Sequence, residues 1–403
     1  MANSQAFKPV TISAYSAISH CGYGNAALYQ ALRGNRSSLA PLAVFEIPFI
    51  TQVGEIYTPL PSISKDLKVY ESRNAQVALA ALNHPEDGVR SAIEQSKSRY
   101  GVDRIGVVLG TSTSGLYESE AAYAKFLVQH KMPDDFNFVT RHAYQATARF
   151  LQKELGLEGP CYAISTACSS SAKAIAAGQR LIVSGVCDAV LVGGVDTLCR
   201  LTLRGFKSLD LLSATQCQPM DQQRCGINIG EAGALLVLER SSETTSTKAQ
   251  LLAVGESSDA YHMSSPHPEG RGAMLAMNKA LQFAGLEAGD IDYLNLHATG
   301  TRINDQVEAL AVYQVFNEVR CSGTKSLTGH TLGAAGALEA VIALLALQHQ
   351  FIPGTANLEN VDKEFNCQVI KNPIENQKLN IVMSNSFGFG GNNASLIIAG
   401  HHD

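Results

Sequence analysis

The sequence predicts an α/β protein of layered architecture with largely parallel strands. Short β-branched runs alternate along the chain with longer alanine-rich or amphipathic segments. Thirty-four glycines among 403 residues suit many tight strand–helix junctions and close backbone contacts. No short-period repeat is present, which excludes solenoids and propellers.

In chain order, the strand expectations are RIGVVLGTS (104–112), CDAVLVGGVDT (187–197), GALLVLER (233–240), DYLNLHAT (292–299) and NIVMSNSF (380–387). Each is a short apolar run bounded by glycine or polar residues. The helix expectations are 72–95, 170–185, 270–285, 304–316 and 333–350, which carry apolar positions at helical spacing or long runs of alanine. The polar, non-periodic stretch SSETTSTKAQ at 241–250 is the one seam, read as the junction between two halves of similar type, 1–241 and 242–403.

Composition removes several classes of function. With 45% apolar and 17% charged residues the chain reads as an ordinary globular protein with a well-buried core. A net charge of −5 gives no reason to expect a polyanion, so nucleic-acid binding is disfavoured. Nine cysteines without a CxxC pair argue against a disulfide framework and a structural zinc site. The N-terminus lacks a signal-peptide layout. The most apolar long stretch, 332–347, is cut by Glu339 and falls short of the roughly 20 residues of a membrane span. A reduced, cytoplasmic enzyme is therefore expected.

One cysteine stands apart. Cys168 lies between a strand-like run (161–166) and an alanine- and serine-rich helix, among small neighbours Ala167, Ser169, Ser170 and Ser171. A helix start supplies unpaired N–H groups and positive potential, which would lower the thiol pKa and receive an oxyanion. A buried structural cysteine in a tight turn fits the same residues.

Two histidines occupy similar junctions. His297 closes the apolar run 293–296 and enters Ala-Thr-Gly-Thr; His330 sits in KSLTGHTLGAAGALEA, five residues after Lys325. Either alone reads as a hydrogen-bonded structural residue. With Cys168 they form a nucleophile and two imidazoles, a known arrangement for covalent catalysis. Zinc is the competing use, disfavoured because no two of the three share a short ligand spacing. In SNSFGFGGNNASL, the glycines allow unusual backbone angles, and Phe387 or Phe389 could line or close a pocket; a glycine-rich turn before a last strand (394–399) is the plainer reading.

Taken together, STACSSS, NLHATGTRIND, KSLTGHTLGAAGALEA and NSFGFGGNNAS resemble the elongating β-ketoacyl-acyl-carrier-protein synthases. The likeness extends through DAVLVGGVDTL, PMDQQRCGINIGEAGALLVLER and SSDAYHMSSPHPEG, and so across essentially the whole chain. It implies a thiolase-like five-layer αβαβα fold built from two similar halves, assembled as a dimer with the strand before Cys168 near the two-fold axis.

The resemblance also implies roles. Cys168 would accept an acyl chain as a thioester, and His297 and His330 would stabilise the enolate formed when malonyl-carrier protein loses carbon dioxide. Lys325 and Glu339 would hold the histidine network. The N–H groups of Cys168 and Phe389 would form the oxyanion hole, with Phe389 also a gate, while Thr299 and Thr301 would bind the phosphopantetheine arm. No metal and no cofactor are implied, because substrates arrive on that arm. An acidic carrier protein would dock on basic residues, with Lys65, Lys68, Arg200, Arg204 and Lys207 as candidates. The partner subunit would be an identical copy or a cysteine-lacking, chain-length-factor-like relative. Cys225, Ile227 and Ala232 in RCGINIGEAGA depart from the commoner pattern and suggest a specialised member. A decarboxylase or acyltransferase that never condenses, and a non-catalytic partner subunit, are the rival readings.

Overall fold

The computed structural model describes residues 8–241 and 248–400, so most of the expected seam, 242–247, lies outside the described residues. Among the described residues, eleven strands run across one continuous sheet path. They are β1 (Val10–Ser19), β2 (Ile105–Gly110), β3 (Cys161–Ile164), β4 (Ala189–Asp196), β5 (Ala232–Arg240), β6 (Gln250–Ser258), β7 (Tyr293–Asn295), β8 (Arg320–Ser322), β9 (Gln368–Val369), β10 (Ile381–Gly388) and β11 (Asn392–Ala399). Their spatial order is β9-β8-β7-β10-β11-β6-β1-β5-β4-β2-β3.

That order hides a repeat. The run β1-β5-β4-β2-β3 has the same directions as β6-β11-β10-β7-β8: two antiparallel pairings, then two parallel ones. The two runs meet where β1 pairs with β6, through Val10↔Leu251 and Thr11↔Gln250. The sheet is thus mixed, not largely parallel as expected. The antiparallel strands include β1, whose mixed sequence VTISAYSAIS offers no apolar run to read.

Helices complete the layers. On the outer face of the first run lie α1 (Arg73–Leu82), α2 (Val89–Tyr100) and α3 (Ala146–Leu155). The expected single helix over 72–95 is two helices, because Pro85 and Gly88 (φ +72°) break it between Leu82 and Val89. Helix α4 (Ser170–Val183) leads from β3 to β4, and α5 (Arg200–Ser208) follows β4. The second run is faced by α6 (Arg271–Ala284) and α7 (Arg302–Phe316), and α8 (Ala335–His349) leads from β8 towards β10.

Helices α4 and α8 pack on each other and on strands of both runs, which makes them the central layer of an αβαβα stack. Every residue of α8 from Ala335 to Leu347 is buried, so this apolar helix is enclosed by protein on all sides. Small residues permit the contact. A Cβ on Gly336 would come within 2.8 Å of the Ala172 backbone nitrogen, and the Ala337 N–H donates to Ser171 Oγ at 2.9 Å. The consequence for function is geometric: the C-terminal ends of strands from both runs converge where α4 and α8 begin.

Candidate active site

Cys168 sits in the turn from β3 into α4, two residues before the helix begins. Ala167, just before it, adopts φ +53°, a left-handed conformation that costs a non-glycine residue on the order of 1–3 kcal/mol. The serines of STACSSS hold this turn. Ser169 Oγ donates to the Thr166 carbonyl at 2.9 Å, and Ser170 Oγ accepts the Thr166 N–H at 2.9 Å while donating to the Ala167 carbonyl. Their hydroxyls, rather than small size alone, shape the corner.

His297 lies just beyond β7, and again the adjacent residue is strained: Ala298 has φ +31°. A buried carboxylate clamps this corner, since Glu308 of α7 accepts the N–H groups of His297 (2.8 Å) and Ala298 (2.7 Å). Burial raises the Glu308 carboxyl to about 7 despite those two donors. Sequence reasoning missed Glu308. Its only signal was position, one helical turn after the Asn304–Asp305 pair, where a buried helix face would otherwise be apolar. His330 occupies the corner before α8, with Leu332 at φ +53°.

These corners bring their side chains together. His330 Nε2 lies 2.9 Å from Cys168 Sγ. The His297 and His330 rings stand edge-to-face with centroids 5.3 Å apart, and one donor atom from each of the three residues falls within 4.8 Å of the others. All three are buried. Lys325 Nζ is 3.2 Å from His297 Nδ1 and donates to the His297 carbonyl and to Glu339 Oε1. Lys325 and Glu339 are themselves buried, which makes this an ion pair out of water.

A cysteine and two histidines so arranged could also ligate a metal. The Sγ–Nε2 separation is that of a hydrogen bond, shorter than the roughly 3.5 Å that two ligands of a tetrahedral zinc would keep. Lys325 beside His297 would also repel a dication. The donor set suits nucleophilic chemistry better.

Electrostatics correct one sequence expectation. Burial pushes the Cys168 thiol up to about 11, although Lys325 and the backbone N–H groups of Phe389 and Cys168 itself pull the other way. The helix start does not produce a lowered thiol pKa, because removing the sulfur from water costs the thiolate more than those donors return. The same burial, with Lys325 alongside, drives both histidines well below the usual imidazole range, and His330 adds to the effect on His297. The resting site therefore holds a neutral thiol and two neutral imidazoles. Glu339 is raised by burial to about 7, held down in part by Lys325.

The three residues open into a cavity of about 430 Å³. Thr299, Thr301, Phe387 and Phe389 line it, as do Cys225 and Ile227, two of the positions that depart from the commoner pattern. The Phe389 ring rests against Phe206 of α5 at 5.6 Å between centroids, and the next residue, Gly390, donates its N–H to the Met263 carbonyl at 2.8 Å. Thr299 and Thr301 bond to each other through their hydroxyls at 3.0 Å.

The basic candidates lie apart from the cavity lining. Lys65 and Lys68 are exposed on a short 3-10 helix, Lys65–Tyr70. Arg204 and Lys207 are exposed on α5. Arg200 is engaged elsewhere, 3.7 Å from Glu120 and over the Phe45 ring at 4.6 Å.

Residues 77–244 match the model of the β-ketoacyl synthase N-terminal domain, and residues 248–359 that of the C-terminal domain. The chain is 31% identical to 3-oxoacyl-[acyl-carrier-protein] synthase 2 of Coxiella burnetii, over 97% of this chain and 98% of that one. It is 33% identical to nodulation protein E of Rhizobium meliloti (strain 1021), over 93% and 96%. A ketosynthase solved in complex with its chain length factor, from Xenorhabdus doucetiae, superposes with a TM-score of 0.90 at 40% identity, covering 97% of this chain and 98% of that one.

Proposed function

The chain belongs to the β-ketoacyl synthase family, and from that premise we propose that its residues divide a decarboxylative condensation between the two halves of the fold. The overall reaction joins an acyl thioester to malonyl-acyl-carrier protein, giving a β-ketoacyl-acyl-carrier protein in fatty-acid or polyketide elongation. The observation that carries the division of labour is the 2.9 Å contact between Cys168 Sγ and His330 Nε2, with His297 completing the cluster.

In the first step Cys168 Sγ attacks the acyl carbonyl carbon. The N–H groups of Cys168 and Phe389, which already face the sulfur, receive the oxygen that gains charge. The thiol proton passes through His330 Nε2 to the departing carrier sulfur. In the second step a malonyl thioester enters with its carbonyl oxygen facing the imidazoles. The Nδ1 of His297 faces Lys325, so its proton sits on Nε2, where it donates to the developing enolate. His330 Nδ1 has no partner among the described residues, so this ring can carry its proton on either nitrogen and serve both steps. The bond to the carboxylate carbon breaks, carbon dioxide leaves, and the bond's electron pair forms the carbanion that attacks the acyl-cysteine carbonyl and expels the Cys168 thiolate, which regains a proton from solvent through His330. The nucleophile comes from decarboxylation, so the step requires no cofactor beyond the carrier's phosphopantetheine arm.

The partners follow from the same reading. An acyl carrier protein delivers both substrates, with the exposed Arg204 and Lys207 of α5 next to the Phe206–Phe389 contact as its basic landing site. The second subunit is a chain-length-factor-like relative, as in the Xenorhabdus complex. Retention of Cys168 makes this chain the active member. The half-exposed edge strand β3, which runs into the Cys168 corner, is the edge offered to that subunit.

Incubation with acyl- and malonyl-carrier proteins, read by mass spectrometry, tests the function. A β-ketoacyl-carrier product with an acyl adduct on Cys168 is expected. Acetyl-carrier protein or free acid as the sole product would mean a decarboxylase or hydrolase.

A further inference from the structure

The cavity above Cys168 is walled mostly by neutral side chains, and among the described residues Arg302 is the one lysine or arginine in its lining. Two carboxylates share the lining, Asp210 and Asp259. Asp259 is already committed, accepting Asn393 Nδ2 at 2.8 Å and the His267 N–H at 3.1 Å. Arg302 is exposed, and among the described residues its guanidinium forms neither an ion pair nor a hydrogen bond. The nearby Asp362 feels the Arg302 charge but makes no ion pair with it: that carboxylate accepts Arg224 Nη1 at 2.6 Å. The backbone of Arg302 is anchored by the same arginine, whose Nη2 donates to the Arg302 carbonyl at 3.0 Å.

Arg302 therefore has a fixed root, a guanidinium with no hydrogen bond among the described residues, and a place on the lining beside Thr301. The arm that must thread this cavity carries two amides and one hydroxyl along its length and a single anionic group, the phosphodiester at its far end. A planar guanidinium is matched to a phosphate's oxygens and always charged.

We propose that Arg302 anchors the phosphate of the phosphopantetheine arm at the cavity mouth, so that this chain recognises the charged end of the arm as well as its thioester. The inference rests on the reading that Cys168 is acylated from such an arm. It makes Arg302 a binding residue for the substrate arm, separate from the carrier's own protein surface.

The test uses two small thioesters without carrier protein: hexanoyl-phosphopantetheine and hexanoyl-pantetheine, which differ only in the terminal phosphate. Acylation of Cys168 is timed by intact-protein mass spectrometry over a range of concentrations. The wild-type enzyme is expected to favour the phosphorylated thioester by about tenfold in apparent second-order rate, the scale of one charge-assisted contact at a partly exposed site. In Arg302→Gln that ratio falls to about one, and Arg302→Lys restores part of it. A wild-type ratio of one overturns the proposal. So does a ratio that survives in Arg302→Gln, including the case where the variant loses rate equally on both thioesters. An enzyme that acylates normally but yields no β-ketoacyl product with malonyl-carrier protein would defeat the condensation reading alone, and the ratio would still decide the role of Arg302.

Discussion

The corner from β3 into α4 and the corner from β8 into α8 occupy the same topological slot in the two halves, yet they are built from opposite chemistry. The first is short and uncharged: one strained alanine, a nucleophile and serine hydroxyls tied back to the strand. The second is lengthened by a helical turn, Lys325–Thr328, and a 3-10 turn, Leu332–Ala334, and it carries a buried ion pair and an imidazole. The short corner presents the Cys168 N–H to its own sulfur, joined there by the Phe389 N–H, which suits holding an acyl group. The long corner concentrates charge and donors, which suits managing the enolate. Repetition of a fold thus supplied two equivalent positions, and the length of the connection decided which chemistry each could host.

That contrast can be broken at either corner. The largest effect is expected from Cys168→Ala, which should lower condensation by about 10⁴-fold or more. It should leave malonyl decarboxylation, the work of the other corner, measurable by carbon dioxide release. Equal loss of both activities would show that the halves do not divide the reaction.

On the charged side, Lys325→Ala leaves Glu339 buried without its partner and should destabilise the fold by about 3–5 kcal/mol, read as a lowered unfolding midpoint. The double change Lys325→Met with Glu339→Gln should recover much of that loss. If the single and double variants unfold alike, the ion pair is not what stabilises this corner.

His330→Ala should reduce condensation by about 10²–10³ while an acyl adduct still forms on Cys168. Unchanged condensation would remove His330 from the enolate step.

The smallest effect per step sharpens the electrostatic side of the comparison. Because burial places the thiol at about 11, the thiolate fraction grows with pH throughout the neutral and mildly alkaline range. Alkylation of Cys168 by iodoacetamide should accelerate about tenfold per unit from about pH 7 to about pH 10. A plateau below about pH 8 would instead indicate a thiolate already paired with a charged histidine.

Much of this molecule was legible along the chain because its signals are local. Cys168, His297, His330 and Phe389 each sit in a corner whose small and hydroxylated neighbours mark a junction in the sequence itself, and the structure places all four on one cavity. The apolar runs at β2, β4 and β5 read as strands for the same reason, since their burial leaves few polar residues to obscure them.

What escaped the sequence depends on groups brought together from afar. Strand direction is decided by partners: β1 pairs with β5 more than two hundred residues away, so no local pattern announces the antiparallel centre of the sheet. Glu308 reads as a helix-surface carboxylate until the fold sets it under the backbone of His297. The thiol of Cys168 reads as acidified by the helix that follows it, and a local view stops there. Tertiary packing encloses that sulfur between two halves of the chain, and the lost hydration outweighs the nearby donors. Residue identity and junction chemistry belong to the sequence. The sign of the charge balance at the site belongs to the tertiary structure, because solvation is a property of the whole packed assembly rather than of any one segment.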